Sequence, residues 1–182
     1  MYSFKMIPIK DFLSLGKNEI NEIMSFINKE NKAYNSPKIN IKDFVNKFIN
    51  RKDKYSYFFI YKNNKIAGGF RFYKVLVEDK ILLHRFTYKN GLYYCIQSVY
   101  VLPNYRRRGI CTELISNFFK SNNLSPIDTF ETILAVDKKN IPAFKCYKKN
   151  GFNEVIERKV TNKLVGTNNY TEYFTEYLMV RK

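Results

Sequence analysis

Apolar residues recur along this chain with two different periods, and each period predicts a different kind of backbone. The opening residues MYSFKMIPI alternate between polar and apolar types, which is typical of a strand. Two later segments space their apolar residues three and four apart, as helices do. These residues are Ile20, Ile23, Met24 and Ile27 in the first segment, and Ile41, Phe44, Val45 and Phe48 in the second. We therefore expect a strand followed by two helices.

From Tyr55 onward the chain becomes aromatic and β-branched, a composition that favours strands. The run YSYFFIYKNNKIAGGFRFYKVLV is divided by KNNK, a turn signal between two antiparallel strands. Strand-like residues continue through KILLHRFTY, and a second turn signal, KNG, precedes LYYCIQSVYV. This part of the chain is expected to form a series of antiparallel strands.

The remaining segments alternate between helix and strand patterns. A helical spacing follows LPN and comprises Thr112, Leu114, Ile115, Phe118 and Phe119. The strand-like ETILAVD comes next, and NIPAFKCYKKNGF then has the signals of a short helix. Asn140 lies near the cap, Pro142 in the first turn and Gly151 just past the end. FNEVIERKV and YTEYFTEYLMV are expected to pair as a hairpin.

The order of these elements mixes antiparallel strands with strand–helix–strand units. Such mixing predicts an α/β or α+β fold, in which a central, mostly antiparallel sheet is flanked by helices. The 182 residues show neither an internal repeat nor a linker, so we expect a single domain over residues 1–182.

The formal net charge of +16 favours an anionic ligand, a nucleic acid or an acidic membrane surface. The lysines are scattered from Lys5 to Lys182 among asparagines and isoleucines. Because a nucleic-acid footprint clusters its basic residues on one face, this scatter favours a chain-wide compositional bias over nucleic-acid binding.

Three cysteines, Cys95, Cys111 and Cys146, lie far apart without the paired spacing of zinc sites or redox motifs. They are expected to be free thiols, and neither a metal site nor a disulfide framework is predicted. The chain also lacks a sustained apolar segment of the length that a signal peptide or a membrane span needs. It is therefore expected to be a soluble cytoplasmic protein that does not associate with a membrane.

The segment LPNYRRRGICTEL poses the main functional question, because three arginines run directly into a glycine and a helical pattern. A solvated charge cluster, a nucleic-acid contact and an anion site are all compatible with the arginines alone. The context is strand CIQSVYV, loop LPNYRRRGIC, and a helix from about Arg108 or Gly109. Backbone N–H groups at a helix N-terminus bind anions, and glycine lets a phosphate approach the chain. This context favours an anion site.

Two motifs here resemble those of the GNAT family of N-acetyltransferases. The acetyl-CoA loop of that family has the pattern Gln/Arg-x-x-Gly-x-Gly/Ala, which Arg106, Gly109 and Cys111 match, with Cys111 in place of the usual Gly or Ala. The family's later helix has the form Asn-x-x-Ala-x-x-x-Tyr-x-x-x-Gly-Phe. It is matched at every named position, by Asn140, Ala143, Tyr147, Gly151 and Phe152. The resemblance implies the acyl-CoA N-acyltransferase fold of this family.

The resemblance also implies an activity and a cofactor site. The activity is transfer of an acetyl group from acetyl-CoA to a primary amine of an unidentified small molecule or peptide, with coenzyme A as product and no metal. Val99 and Val101 would pair with the pantetheine arm, Asn140 would bond it, and Tyr147 would stand by the thioester sulfur as the catalytic residue. The pyrophosphate would sit on the backbone of Arg106, Arg107, Arg108, Gly109, Ile110, Cys111 and Thr112.

The proton that the amine must lose needs an acceptor. In related enzymes the base often projects from the strand before the loop, at positions that match Cys95 or Gln97. A glutamine is not a base, and a thiol with a pKa of about 8.5 must ionise first. We therefore predict a water chain or a group from the N-terminal part of the chain. His84 is an alternative relay, although an exposed hairpin histidine is the favoured interpretation.

Several alternatives remain open at this stage. Cys111 at a helix N-terminus would also suit a nucleophile, although a small residue that the loop tolerates is favoured, and Cys146 is expected to be core. The chain as a whole could be a basic nucleic-acid-binding protein, or a GNAT-like protein that binds acyl-CoA without turning it over. It could be a monomer or a homodimer.

Overall fold

The computed structural model describes residues 1–46, 55–76, 92–121, 131–163 and 171–181. Within these ranges the chain is a mixed α/β protein with a seven-stranded sheet, which confirms the predicted fold class. The strands are β1 (Tyr2–Pro8), β2 (Ser56–Lys62), β3 (Lys65–Leu76), β4 (Leu92–Val101), β5 (Glu131–Asp137), β6 (Glu154–Lys163) and β7 (Thr171–Arg181). The helices are α1 (Lys17–Ala33), α2 (Ile41–Phe44), α3 (Ile110–Ser121) and α4 (Ile141–Lys149).

Three of the sequence predictions fall outside these ranges. They are the end of the second helical stripe at Phe48, the strand-like KILLHRFTY with His84, and the KNG turn. Among the helices of the described ranges, none is both long enough and apolar enough to cross a membrane.

The chain divides into two compact units, of which the first comprises residues 1–74 and 96–124. Its strand order is β1-β2-β3-β4, and the β1–β2 and β2–β3 pairs are antiparallel. The β2–β3 turn is the predicted KNNK turn. Asn63 and Asn64 have φ angles of 51° and 58°, the left-handed pair that a two-residue hairpin turn of type I′ requires.

The core of the first unit forms where α1 packs its apolar stripe onto aromatic strand residues. Phe26 contacts the ring of Phe59 edge-on at a centroid distance of 5.5 Å, and that of Tyr100 at 5.7 Å. The buried members of α1 are Ile23, Met24, Phe26, Ile27 and Glu30. Three of the four predicted positions, Ile23, Met24 and Ile27, are therefore buried, whereas Ile20 is only half-buried. The prediction omitted the Phe26 ring and the Glu30 carboxylate, which also lie on the buried face.

The second unit comprises residues 75–95 and 125–182. Here β7 lies between β5 and β6 and is antiparallel to both. The β6–β7 register runs from Glu154 opposite Val180 to Lys163 opposite Thr171, which confirms the predicted hairpin. The single-domain expectation for residues 1–182 stays a prediction.

Candidate functional site

The segment LPNYRRRGIC forms the loop between β4 and α3, as its strand-loop-helix context predicted. A short 3-10 turn, Pro103–Tyr105, follows β4, and α3 begins at Ile110, one or two residues later than expected. Between them Arg107 and Gly109 have φ angles of 59° and 76°, both in the left-handed region. Successive N–H groups in a turn that contains left-handed residues line a concavity, and such concavities bind anions.

Gly109 connects the loop to α3 and has a backbone conformation that favours glycine. Its carbonyl accepts the Glu113 N–H over 3.0 Å, so Gly109 directly precedes the first turn of α3. A Cβ added at Gly109 would meet no atom within 4 Å, so the glycine is not required by crowding from this chain. It is required by the positive φ, and it leaves open the approach to the amino end of a 12-residue helix.

The main chain of β4 immediately before this loop carries the two predicted pantetheine partners. The Val99 carbonyl accepts a hydrogen bond from the Tyr34 hydroxyl over 3.2 Å. The Val101 carbonyl accepts one from Arg106 Nε over 3.0 Å. The Arg106 guanidinium also stacks over the Tyr100 ring at 5.5 Å. Each carbonyl oxygen has two lone pairs, so each can accept a second donor.

A cluster beside Val99 was not anticipated from the sequence. Arg71 of β3 donates from Nη2 to the Ser98 hydroxyl oxygen and lies 3.9 Å from Glu30 Oε1. The Glu30 carboxylate in turn accepts a hydrogen bond from the Ser98 hydroxyl. Burial raises the pKa of Glu30, and the opposing influences of Arg71 and the Ser98 hydrogen bond are smaller. Ser98 itself has a φ of 54° inside a strand.

One signal in the sequence pointed to part of this cluster. Glu30 follows Ile23 by seven residues and Ile27 by three, which places a charged side chain on the apolar stripe of α1. Carboxylates are seldom fully buried unless they are paired, so that position predicts a partner without identifying it. Arg71 and Ser98 carry no comparable signal.

The two predicted relay residues differ in their surroundings. Gln97 is exposed, and its side-chain NH2 donates to the Tyr73 hydroxyl over 3.0 Å. Cys95 is half-buried and carries a reduced thiol. Their roles stay predictions, as does that of His84, which lies outside the described residues.

The second motif forms helix α4 with the predicted ends. The Asn140 side-chain oxygen accepts the Ala143 N–H over 3.3 Å, so Asn140 is the N-cap, and Pro142 lies in the first turn. Gly151 has a φ of 86° just past the helix, which glycine adopts without steric cost. Tyr147 is buried, and its ring lies 6.1 Å from that of Phe152.

The expectation of three free thiols is wrong for Cys111 and Cys146, because each of these residues is disulfide-bonded. Paired spacings reveal cysteines that are close in sequence, so a wide spacing does not exclude a disulfide. A disulfide-bonded Cys111 cannot act as a nucleophile, because the nucleophilic form of cysteine is the thiolate. Both side chains are half-buried, so Cys146 is less enclosed than a core residue.

Within the described ranges, no three His, Cys, Asp or Glu side chains are grouped so that they could hold a metal ion.

A family model described as "Acetyltransferase (GNAT) family" matches residues 20–152. No curated protein matches the chain.

Among solved structures, Arabidopsis thaliana NAA60 in complex with a bisubstrate analogue is similar at a TM-score of 0.66 and 20% identity, over 99% of this chain and 97% of that one. A GNAT acetyltransferase from Streptococcus pneumoniae is similar at 0.63 and 15%, over 100% and 98% of the two chains. Spermidine N-acetyltransferase from Vibrio cholerae, in complex with CoA and spermine, is similar at 0.57 and 14%, over 98% and 95%.

Proposed function

This chain belongs to the acetyltransferase (GNAT) family, and from that premise we propose that it is an N-acetyltransferase that uses acetyl-CoA. The acceptor is a primary amine of a small molecule or a peptide. Coenzyme A is the second product, and no metal takes part. A cytoplasmic location and a monomeric or homodimeric state belong to the same proposal.

The observation that carries this proposal is the conformation of the loop before α3. Its two left-handed residues, Arg107 and Gly109, and the amino end of α3 together provide an anion-binding backbone with open space at Gly109. We assign the pyrophosphate of the donor to residues 106–112. The side chains of Arg107 and Arg108 are exposed and add positive charge there, while Arg106 is engaged with Val101.

The remaining roles follow the family resemblance. Val99 and Val101 pair with the pantetheine arm through their main-chain groups. The Asn140 side-chain oxygen caps α4, so its NH2 group is the donor available to a pantetheine carbonyl. The Tyr147 hydroxyl donates a hydrogen bond to the sulfur as negative charge develops on it. This role is preferred to full proton transfer, because a phenol has a higher pKa than a thiol and the transfer is therefore uphill.

In the proposed reaction the acceptor nitrogen attacks the thioester carbonyl, a C–N bond forms, and the C–S bond breaks with the thiolate as leaving group. The nitrogen also loses a proton. An alkylamine with a pKa of about 10.4 is neutral in only about one molecule in a thousand at pH 7, so a proton path raises the rate. We assign that path to water, with Cys95 and Gln97 as candidate relay residues.

Known relatives support an amine acceptor without identifying it. The Vibrio cholerae structure holds CoA and spermine, and the Arabidopsis thaliana structure holds a bisubstrate analogue. These ligands belong to those proteins, whose identity to this chain is 20% or less. The acceptor of this chain therefore has to be found by assay.

The decisive experiment is calorimetric titration of acetyl-CoA into the wild type, Gly109→Asp and Gly16→Asp. Aspartate at position 109 puts a side chain and a negative charge into the loop at an unfavourable φ. Gly16 also has no atom within 4 Å of an added Cβ, but it is the N-cap of α1, where aspartate is favoured. It therefore controls for the added charge.

We expect one-to-one binding to the wild type and to Gly16→Asp, and binding at least about tenfold weaker to Gly109→Asp. A wild type that shows neither heat nor thermal stabilisation with acetyl-CoA would exclude the proposal. Steeply salt-dependent binding to nucleic acid would then favour the alternative that the chain is a basic nucleic-acid-binding protein. Binding without thiol release across a panel of amines would instead indicate an acyl-CoA-binding protein without turnover.

A further inference from the structure

Ser98 adopts a backbone conformation that its residue type does not favour. Among the described residues other than glycine, five have a positive φ: Asn35, Asn63, Asn64, Ser98 and Arg107. Asparagine tolerates the left-handed region, and the three asparagines lie in turns. Arg107 lies in the loop before α3. Ser98 is the member of this set inside a strand, where a left-handed residue interrupts the extended path and is typical of a bulge.

The side chain of Ser98 is held from two other elements. Arg71 of β3 donates to the serine oxygen, and the serine hydroxyl donates to Glu30 of α1. Arg71 and Glu30 also form an ion pair at 3.9 Å. We refer to Glu30, Arg71 and Ser98 as the Ser98 clamp. Together its bonds use both the acceptor and the donor capacity of one hydroxyl.

The clamp is costly to bury, which argues for a role beyond stability. Glu30 is only 4% exposed, and a buried ion pair rarely contributes net stability relative to apolar residues of the same volume. The clamp lies next to Val99, whose carbonyl is reached from the same helix end by Tyr34. The last turn of α1 therefore contacts β4 at two successive residues, Ser98 and Val99.

We propose that Glu30 and Arg71 are positioning residues that hold Ser98 in its left-handed conformation and thereby orient the main-chain groups of Val99 and Val101 toward the acyl donor. This inference rests on the proposed function, because it assigns the pantetheine arm to those groups. Without the clamp, an L-residue at position 98 returns to the extended conformation, and the peptide groups that follow it rotate away from their bound orientation.

The test compares three residues at position 98 with two ligands. The ligands are acetyl-CoA and 3′-phospho-ADP, which carries the pyrophosphate but no pantetheine. Ser98→Ala removes both hydrogen bonds and keeps the cost of a positive φ, so acetyl-CoA binding is expected to weaken about tenfold. Ser98→Gly also removes both bonds but adopts a positive φ freely, so it is expected to recover most of that loss. The affinity for 3′-phospho-ADP is expected to stay the same in all three proteins.

A double-mutant cycle with Glu30→Gln then shows whether Glu30 acts through Ser98. Glu30→Gln is expected to weaken acetyl-CoA binding in the wild-type background and to have no further effect in the Ser98→Gly background. Thermal melts confirm that each variant is folded. If Glu30→Gln does not fold, the comparison of Ser98→Ala with Ser98→Gly still tests whether the backbone conformation at position 98 controls acetyl-CoA binding.

Equal affinities for Ser98→Ala and Ser98→Gly would overturn the inference, and so would a parallel loss of 3′-phospho-ADP binding. A Glu30→Gln effect that persists beside Ser98→Gly would also overturn it. A wild type that binds neither ligand would have a different meaning, because it removes the proposed function itself. A wild type that binds 3′-phospho-ADP as tightly as acetyl-CoA would show that the pantetheine arm is not held by β4.

Discussion

The Tyr34 hydroxyl donates to the Val99 carbonyl over 3.2 Å, so a side chain from the end of α1 occupies an oxygen assigned to the pantetheine arm. Arg106 Nε likewise donates a hydrogen bond to the Val101 carbonyl over 3.0 Å. Both carbonyls thus accept a hydrogen bond from the protein itself. A ligand that pairs with β4 must either share these oxygens or displace the two side chains.

Tyr34→Phe is expected to strengthen acetyl-CoA binding about threefold, because a competing hydrogen bond with a net value of about 0.5–1.5 kcal/mol is removed. The free energy of unfolding should fall by a similar amount, measured by urea denaturation. Tyr2→Phe is a matched control, since Tyr2 lies on β1 with its ring against Lys62. Weaker binding by Tyr34→Phe would show that the hydroxyl supports the ligand.

Asn140 allows capping to be separated from ligand binding. Asn140→Ala is expected to lower the free energy of unfolding by about 1 kcal/mol through loss of the cap. Asn140→Ser retains a capping oxygen but not the NH2 group, so it should keep the stability and still bind acetyl-CoA more weakly. Calorimetry and urea denaturation measure the two effects.

Asn40 supplies the control for this pair of variants. It caps α2 through the same geometry, its side-chain oxygen accepting the Asp43 N–H over 2.8 Å. Asn40→Ala should reduce stability by a similar amount and leave acetyl-CoA binding unchanged. If Asn140→Ser binds acetyl-CoA as the wild type does, Asn140 has a capping role alone.

Tyr147→Phe is expected to lower kcat about a hundredfold with little change in KM, because its hydroxyl is assigned to the sulfur only as charge develops there. The assay is thiol release with the best amine from the acceptor screen. Tyr177→Phe is a control for loss of a hydroxyl in the same unit, where the Tyr177 ring packs against Phe144 at 5.1 Å. An unchanged kcat would leave Tyr147 as a packed aromatic.

The pH dependence of stability should report on Glu30. Burial raises its pKa above the ordinary value of 4.5, so between 4.5 and the raised value the folded state binds this proton more tightly than the unfolded state. The contribution of Glu30 to stability is therefore lost as the pH rises through that window. Arg71 and the Ser98 hydrogen bond oppose this rise in the pKa of Glu30. The nearby hydroxyls of Tyr34 and Tyr57 remain protonated over the same range, because burial raises the pKa of each phenol.

Glu30→Gln removes the titrating group, so its urea-unfolding free energy should fall less between pH 5 and pH 8 than that of the wild type. Parallel curves for the two proteins would contradict a raised pKa at Glu30.

Local patterns in the sequence predicted much of the fold and of the loop before α3, because the relevant interactions span few residues. The Asn140 cap reaches three residues ahead, and the left-handed Gly109 is coupled directly to the start of α3. Glu30, Arg71 and Ser98 are instead separated by dozens of residues, and only packing brings them together. The disulfide state of Cys111 and Cys146 was missed because a wide spacing in sequence does not exclude a disulfide.

The position of β7 between β5 and β6 has a consequence for biosynthesis. Both partner strands precede β7 in the chain and pair with it along their length. While the polypeptide emerges from the ribosome, β5 and β6 therefore leave the hydrogen-bonding groups that face β7 unsatisfied until β7 has also emerged. Open strand edges recruit other chains, so the nascent protein is exposed to aggregation through these edges during this interval.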